Sequence, residues 1–115
     1  MGFCQKSKNM KLFLDDERMP HQVGLDDKEW VVVRDAIMAW QAIRNGVVTH
    51  LSLDHDLGQN DDGTLAYTGY DLCKWMAEHN QWPTESCTVH SMNPVGRDNM
   101  VAVISRYFVP RSERE

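Results

Sequence analysis

Short apolar runs alternate with amphipathic segments along this chain. The apolar runs occupy residues 10–14, 30–33, 47–53 and 87–89, and each has the length of a single strand. None of them alternates strictly between apolar and polar positions, which is typical of strands covered on both faces of a sheet. Helical patterns follow the second, third and fourth runs. The order predicts an α/β domain with a parallel sheet and helices packed over it.

Three helices are predicted, each with recognisable ends. Asp35 caps the first, which stops at Gly46. Thr68, three residues before an aspartate, has the spacing of a capping box for the second, which stops at Asn80. Asn93, followed by a proline, caps the third. The apolar positions expected to face the core are Ile37, Trp40 and Ile43, then Leu72, Trp75 and Met76, then Met100, Val103, Ile104 and Tyr107.

The alternation is broken between the first two strands. Pro20 and Gly24 interrupt any helical period in residues 17–29 and leave an irregular acidic crossover. We therefore expect one sheet face to be thinly covered. Either the last helix folds back over that face, or two copies of the chain share it as a homodimer.

Length and composition indicate one folded domain. At 115 residues, with 42% hydrophobic content, the chain is long enough for a single core. We expect the domain to span residues 10–108, between a poorly ordered tail at 1–9 and a charged tail at 109–115 without a clear fifth strand. No apolar run approaches the roughly 20 residues that cross a membrane, and no signal core is visible, so a cytoplasmic location is expected. Cys4, Cys73 and Cys87 lack metal-ligand spacing, and no disulfide is expected.

Charge narrows the range of partners. The net charge is −5, which disfavours binding to duplex nucleic acid because that binding needs a basic face. The acidic residues are also clustered, since 11 of the 17 lie in residues 15–62. A small phosphorylated ligand, a nucleotide or an RNA end remains compatible with this charge, provided that a cation is present.

The acidic residues collect at strand ends. Asp15 and Asp16 end the first run, and Asp54, His55 and Asp56 end the third. In an open parallel sheet with the common strand order 2-1-3-4, these ends are neighbours at the point where ligands bind. Adjacent carboxylates repel one another unless a cation is bound, and carboxylate oxygens suit Mg²⁺ or Mn²⁺. We predict a metal site at Asp15, Asp16 and Asp54. If the strand end were shifted by one residue, Asp56 and Asp54 would exchange roles in this site.

Four blocks of sequence carry a family resemblance. They are residues 13–20 (FLDDERMP), 53–58 (LDHDLG), 68–71 (TGYD) and 90–97 (HSMNPVGR). Together they resemble the receiver domain of response regulators, and more narrowly its cyclic-phosphate processing clade. The resemblance implies a reduced receiver-like (flavodoxin-like) open sheet, a metal at the aspartate pair, and activity on cyclic phosphates.

The chain departs from ordinary receivers in one respect. Such receivers accept a phosphoryl group on the aspartate that ends the third strand, here Asp54, and use a lysine at the end of a fifth strand. No lysine follows Lys74. Phosphorelay is therefore disfavoured, although Arg97 could supply the positive charge.

Two histidines offer a different chemistry. Opening a cyclic phosphodiester needs a base for the attacking water and an acid for the leaving oxygen, and His55 and His90 suit those proton transfers. Ser91, Asn93 and Arg97, with backbone N–H groups at the start of the last helix, would hold the phosphate. We predict a metal-dependent phosphoesterase in which Asp54 serves as metal ligand or nucleophile.

Plainer interpretations stay open at this stage. His55 could be a surface residue or a transition-metal ligand, His90 a hydrogen-bonded core residue, and Ser91 and Asn93 helix caps. The protein could also be a signalling module that binds Mg²⁺ and is phosphorylated on Asp54, or a receiver without catalysis that serves as an interaction or dimerisation unit.

Overall fold

The first strand of the chain lies inside a four-stranded parallel sheet, with the second strand on one side and the third on the other. The fourth strand lies beyond the third, which confirms the predicted order 2-1-3-4. We describe a computed structural model, which covers residues 9–59 and 62–110. The strands are β1 (Met10–Leu14), β2 (Trp30–Val33), β3 (Val48–Leu53) and β4 (Ser86–Val89).

Each helix begins at the residue that the sequence indicates. The helices are α1 (Ala36–Arg44), α2 (Gly69–His79) and α3 (Pro94–Tyr107). The carboxylate of Asp35 accepts the N–H of Met38, and Thr68 and Asp71 form the predicted capping box. Asn93 accepts the N–H of Gly96 at the start of α3. These bonds satisfy backbone donors that the first helical turn leaves unpaired.

All three helices pack on one face of the sheet, α1 against α2 and α2 against α3. The connections β2–α1–β3 and β3–α2–β4 run in one direction across the sheet, so right-handed crossovers place both helices on the same side. The β1–β2 connection runs the opposite way and contains only a short 3-10 helix, Pro20–Val23. The last helix therefore does not fold back over the second face. Buried core residues include Leu12, Leu14, Val33, Leu51, Leu53, Ala39, Ile43, Leu72, Met76 and Met100.

Two predicted core positions are wrong. Ile37 is 48% exposed, because the buried face of α1 is centred on Ala36, Ala39 and Ile43, and Ile37 lies about 100° away from the first of these around the helix. Tyr107 is 50% exposed. Val103 and Ile104 are already only partly buried, so α3 leaves the core before its last turn.

Several predictions on the ends of the chain fall outside the described residues: both tails in residues 1–8 and 111–115, and Cys4. Cys73 and Cys87 are free and buried. Among the residues that the structure covers, no fifth strand follows α3. None of the helices described is long and apolar enough to cross a membrane.

Candidate active site

The carboxyl edge of the sheet, where the four strands end, brings three side chains together. The parallel ladder continues one residue past the strands, since the N–H of Asp54 donates to Leu14 and the N–H of His90 donates to Leu53. Asp15 directly follows β1. Asp15, Asp54 and His90 each offer a ligand atom, and these atoms all lie within 4.8 Å of one another.

Asp15 is buried, with 1% of its surface exposed, and both of its oxygens are occupied. Oδ1 accepts the backbone N–H groups of Glu17 and Arg18, each at 2.8 Å. Oδ2 lies 3.0 Å from Arg18 Nε and 3.0 Å from His90 Nε2. Burial alone would raise the pKa of Asp15, but these donors and the guanidinium charge hold the pKa below its ordinary value. Asp15 is therefore ionised at neutral pH.

Arg18 inserts a positive charge between the aspartates. Its Nη2 lies 3.6 Å from Asp54 Oδ2 and donates to the backbone oxygen of His90 at 3.2 Å. Arg34 Nη1 donates to the backbone oxygens of Asp15 and Arg18, which fixes the loop after β1. Sequence reasoning missed both arginines as site residues. For Arg18, the available signal was its position three residues after Asp15, the aspartate that follows β1.

Asp16 adds a third carboxylate beside the loop after β3. A Cβ built on Gly58 would lie 3.0 Å from Asp16 Oδ2, so that loop closes over the side chain. Burial raises the pKa of Asp16, and the nearby charges of Glu17, Asp15 and Asp54 raise it further. The acidic cluster (Asp15, Asp16 and Asp54) thus holds three carboxylates against one guanidinium. This excess of negative charge and the oxygen ligands suit a divalent cation such as Mg²⁺.

His90 is held on the sheet face opposite the helices. Its ring is stacked on Phe13, with centroids 4.5 Å apart and planes 4° apart. Nδ1 lies 2.8 Å from Ser52 Oγ, while Nε2 faces Asp15. A carboxylate only accepts, so the ring donates from Nε2 and Ser52 donates to Nδ1. Burial lowers the pKa of His90 although Asp15 opposes the shift, and the ring is neutral at pH 7.

His55 is arranged differently: Nδ1 is held by a carboxylate, and Nε2 has no partner among the described residues. Nδ1 lies 2.8 Å from Asp56 Oδ1, and Asn93 Nδ2 donates to Asp56 Oδ2 at 3.3 Å. The hydrogen bond from His55 lowers the pKa of Asp56. The ring packs against Gly96 in the first turn of α3. Within residues 9–59 and 62–110, no group bonds to His55 Nε2.

A comparison with protein families gives a match that includes the residues of this site. The family model described as the cyclic-phosphate processing receiver domain matches residues 10–106. The chain belongs to the cyclic-phosphate processing receiver domain family. Comparisons with curated proteins and with solved structures give no significant match. The resemblance carried by the four sequence blocks is therefore confirmed.

The predicted phosphate ligands of this cyclic-phosphate processing receiver domain gather at the start of α3. Ser91 is buried, and its Oγ accepts the N–H of Asn93. Asn93 also caps the helix through Gly96, so the capping role expected from the sequence is present. Arg97 is exposed, and its guanidinium has no partner among the described residues. Phosphate binding by these residues stays a prediction.

The structure separates the predicted metal ligands of this receiver domain into two groups. Asp15, Asp16 and Asp54 lie together at the ends of β1 and β3. The Asp56 carboxylate is instead taken up by His55 and Asn93. Metal ligation by the Asp56 side chain stays a prediction. In the structure this carboxylate instead orients the imidazole of His55.

Proposed function

We propose that this receiver domain is a metal-dependent phosphoesterase that opens a cyclic phosphate, or removes a terminal phosphate, on a nucleotide or an RNA end. The observation that carries the proposal is the pairing of His55 with Asp56 beside the acidic cluster. An imidazole held by a carboxylate at one nitrogen and unpaired at the other is built to exchange a proton with a ligand.

Asp16 and Asp54 are the residues that would hold Mg²⁺ or Mn²⁺, with Asp15 next to them. Asp15 is already bonded to four donors, whereas Asp54 accepts one close N–H, from His55. A bound metal ion would neutralise the phosphate, polarise its oxygens and lower the pKa of a water ligand. The need for a cation is electrostatic, since an anionic phosphate is repelled by three neighbouring carboxylates.

His55 acts on the attacking water in this proposal. The water oxygen forms a bond to phosphorus, and one water proton passes to His55 Nε2. The bond from phosphorus to one sugar oxygen breaks, and that oxygen takes up a proton from solvent, to which the His55 imidazolium releases one, so the product is a phosphomonoester. Asp56 stabilises the imidazolium that forms. His90 is the second predicted proton-transfer residue, and its Nε2–H donates to Asp15.

The phosphate is held at the start of α3. Ser91 and Asn93 lie beside the Asp56 carboxylate, and Arg97 presents an unpaired guanidinium one turn into the helix. The helix N-terminus adds a favourable dipole for an anion. Together these groups provide donors beside the His55–Asp56 pair.

Transfer of a phosphoryl group to Asp54 is the rival function. Among the described residues the lysines are Lys11, Lys28 and Lys74, and none follows a strand at the carboxyl edge. Lys74 is paired with Asp71 on α2. Acetyl phosphate with Mg²⁺ tests this rival directly, because stable labelling of wild type that is absent in Asp54→Asn would favour it.

A hydrolysis panel tests the proposal. The substrates are 2′,3′- and 3′,5′-cyclic nucleotides and RNA ending in a cyclic phosphate, each with Mg²⁺, with Mn²⁺ and with EDTA. We expect metal-dependent turnover that is lost in His55→Ala and reduced in His90→Ala. His79→Ala is the matched control, since His79 bonds to Trp75 at the far end of α2. Turnover that persists in His55→Ala would contradict the assigned role.

A further inference from the structure

The acidic cluster already contains a cation that belongs to the chain. The Arg18 guanidinium lies between Asp15 and Asp54, 3.0 Å from one carboxylate and 3.6 Å from the other. We infer that Arg18 is the built-in counter-ion of this site and that a divalent metal ion displaces its guanidinium from Asp54. This inference rests on the metal binding in the proposed function and adds a competitor for the metal.

The contacts of the Arg18 guanidinium with the two carboxylates differ in strength. Nε is within hydrogen-bond distance of Asp15 Oδ2, whereas the contact of Nη2 with Asp54 Oδ2 is too long for a hydrogen bond and is an ion pair only. Asp15 is also 1% exposed and ionised, so its bond to Nε is costly to break. The contact with Asp54 is therefore the one that an incoming cation replaces.

The loop that carries Arg18 is anchored independently of its guanidinium. Arg34 Nη1 donates to the backbone oxygen of Arg18 at 2.9 Å and to that of Asp15 at 3.1 Å. The N–H of Arg18 is bound to Asp15 Oδ1. The Arg18 side chain is 24% exposed and so reaches solvent. Displacement from Asp54 then requires rotation of a side chain and loss of the Nη2 hydrogen bond to the backbone oxygen of His90, and it leaves the backbone of the loop in place.

If Arg18 competes with the metal ion, removing its charge should change two measurable quantities in opposite directions: stability without metal falls, and metal affinity rises. Without metal, loss of the Arg18 charge leaves three carboxylates uncompensated and lowers stability. With metal, the same loss removes a positive charge from the neighbourhood of the bound ion, so affinity rises. Because the site is partly exposed and screened, we expect Arg18→Gln to bind Mn²⁺ or Mg²⁺ on the order of tenfold more tightly.

Calorimetric titration of the whole chain with Mn²⁺ and with Mg²⁺ tests the inference. The variants are Arg18→Gln, Arg18→Lys, which keeps the charge, and Arg44→Gln, which removes an exposed charge at the far end of α1. We expect tighter binding by Arg18→Gln alone, with Arg18→Lys and Arg44→Gln close to wild type. Thermal melting in EDTA should show a lower midpoint for Arg18→Gln than for Arg44→Gln.

A second measurement needs no variant and covers the case in which Arg18→Gln does not fold. In wild type, NMR resonances of the Arg18 guanidinium should shift as Mg²⁺ saturates the site, while those of Arg44 stay unchanged. Metal binding by wild type with no shift at Arg18 and no gain of affinity in Arg18→Gln would overturn this inference and leave the proposed function standing. No metal binding by wild type or by any variant would overturn both.

Discussion

The His55 ring packs directly against Gly96: a Cβ at position 96 would lie 2.4 Å from the nearest ring carbons. The close contact ties the orientation of a loop residue to the first turn of α3. His55 is thereby fixed from two sides, by Asp56 at Nδ1 and by the backbone of the helix. The glycine is needed at this point for space, since its φ is not in the left-handed region.

Gly96→Ala should therefore displace the His55 ring. We expect a loss of turnover of roughly 10- to 100-fold, the scale of a misplaced catalytic group. Alanine is the better helix former by about 1 kcal/mol, so helix propensity cannot explain a loss. Ser105→Ala, at an exposed position of α3, is the control and should keep full activity. Unchanged His55 resonances and unchanged turnover in Gly96→Ala would show that the contact is unimportant.

Ser52→Ala should weaken the fold and release His90. The variant leaves Nδ1 buried without its donor, and we expect the free energy of unfolding to fall by about 1–3 kcal/mol. Urea denaturation measures this loss, and ¹⁵N shifts of the His90 ring report its tautomer. Thr88→Val removes a hydroxyl from an exposed position on β4 and is the matched control. An unchanged Nδ1 shift in Ser52→Ala would contradict the assigned hydrogen bond, whereas the Nε2–H tautomer should stay, because Asp15 still accepts at Nε2.

Gly69→Ala should damage both stability and metal binding. A Cβ at this position would lie 1.9 Å from the backbone oxygen of Asp54 and 2.9 Å from Met100 Sδ. We expect a loss of about 3 kcal/mol in unfolding free energy, because backbone atoms cannot move aside cheaply. Gly63→Ala is the comparison, since a Cβ there would meet no atom of the described residues within 4 Å and only the positive φ opposes it. That control should lose about 1 kcal/mol and keep its metal affinity.

Cys73 and Cys87 should resist thiol reagents in the native protein. Burial raises the pKa of Cys73 to about 12 and that of Cys87 well above its ordinary value. At pH 8 the thiolate that reacts is then roughly one part in 10,000 for Cys73. Labelling with a chromogenic disulfide should be slow in Cys4→Ser and complete once urea is added. Rapid native labelling of two thiols would contradict the described burial.

Most of the fold was predictable because it depends on local signals that agree with one another. Asp35, Thr68 and Asn93 each mark a helix start. Pro20 and Gly24 lie in the crossover that was predicted to contain no regular helix. The strand order was taken as the common one for an open parallel sheet, and the structure has that order. The burial of Ile37 was predicted wrongly. Packing decides which face of a nine-residue helix such as α1 turns toward the core, and the sequence pattern does not.

The site was predictable in its aspartates and less so in its partners. Asp15, Asp16 and Asp54 end neighbouring strands, so their proximity follows from topology alone. Arg18 and Ser52 depend on side-chain direction instead: Arg18 folds back over the strand end, and Ser52 lies on the sheet face opposite the three described α-helices. Periodicity carries no information on either contact. For the same reason the sequence assigned the free positive charge to Arg97 and overlooked Arg18.

The central claim is that a cyclic phosphate is opened at this edge with a divalent metal and His55. The most direct measurement is ³¹P NMR of 2′,3′- and 3′,5′-cyclic nucleotides incubated with wild type and with His55→Ala, in Mg²⁺ and in EDTA. We predict that the cyclic signal is converted to that of a phosphomonoester only by wild type with Mg²⁺. Intact cyclic signals in the presence of wild type with demonstrably bound Mg²⁺ would contradict it.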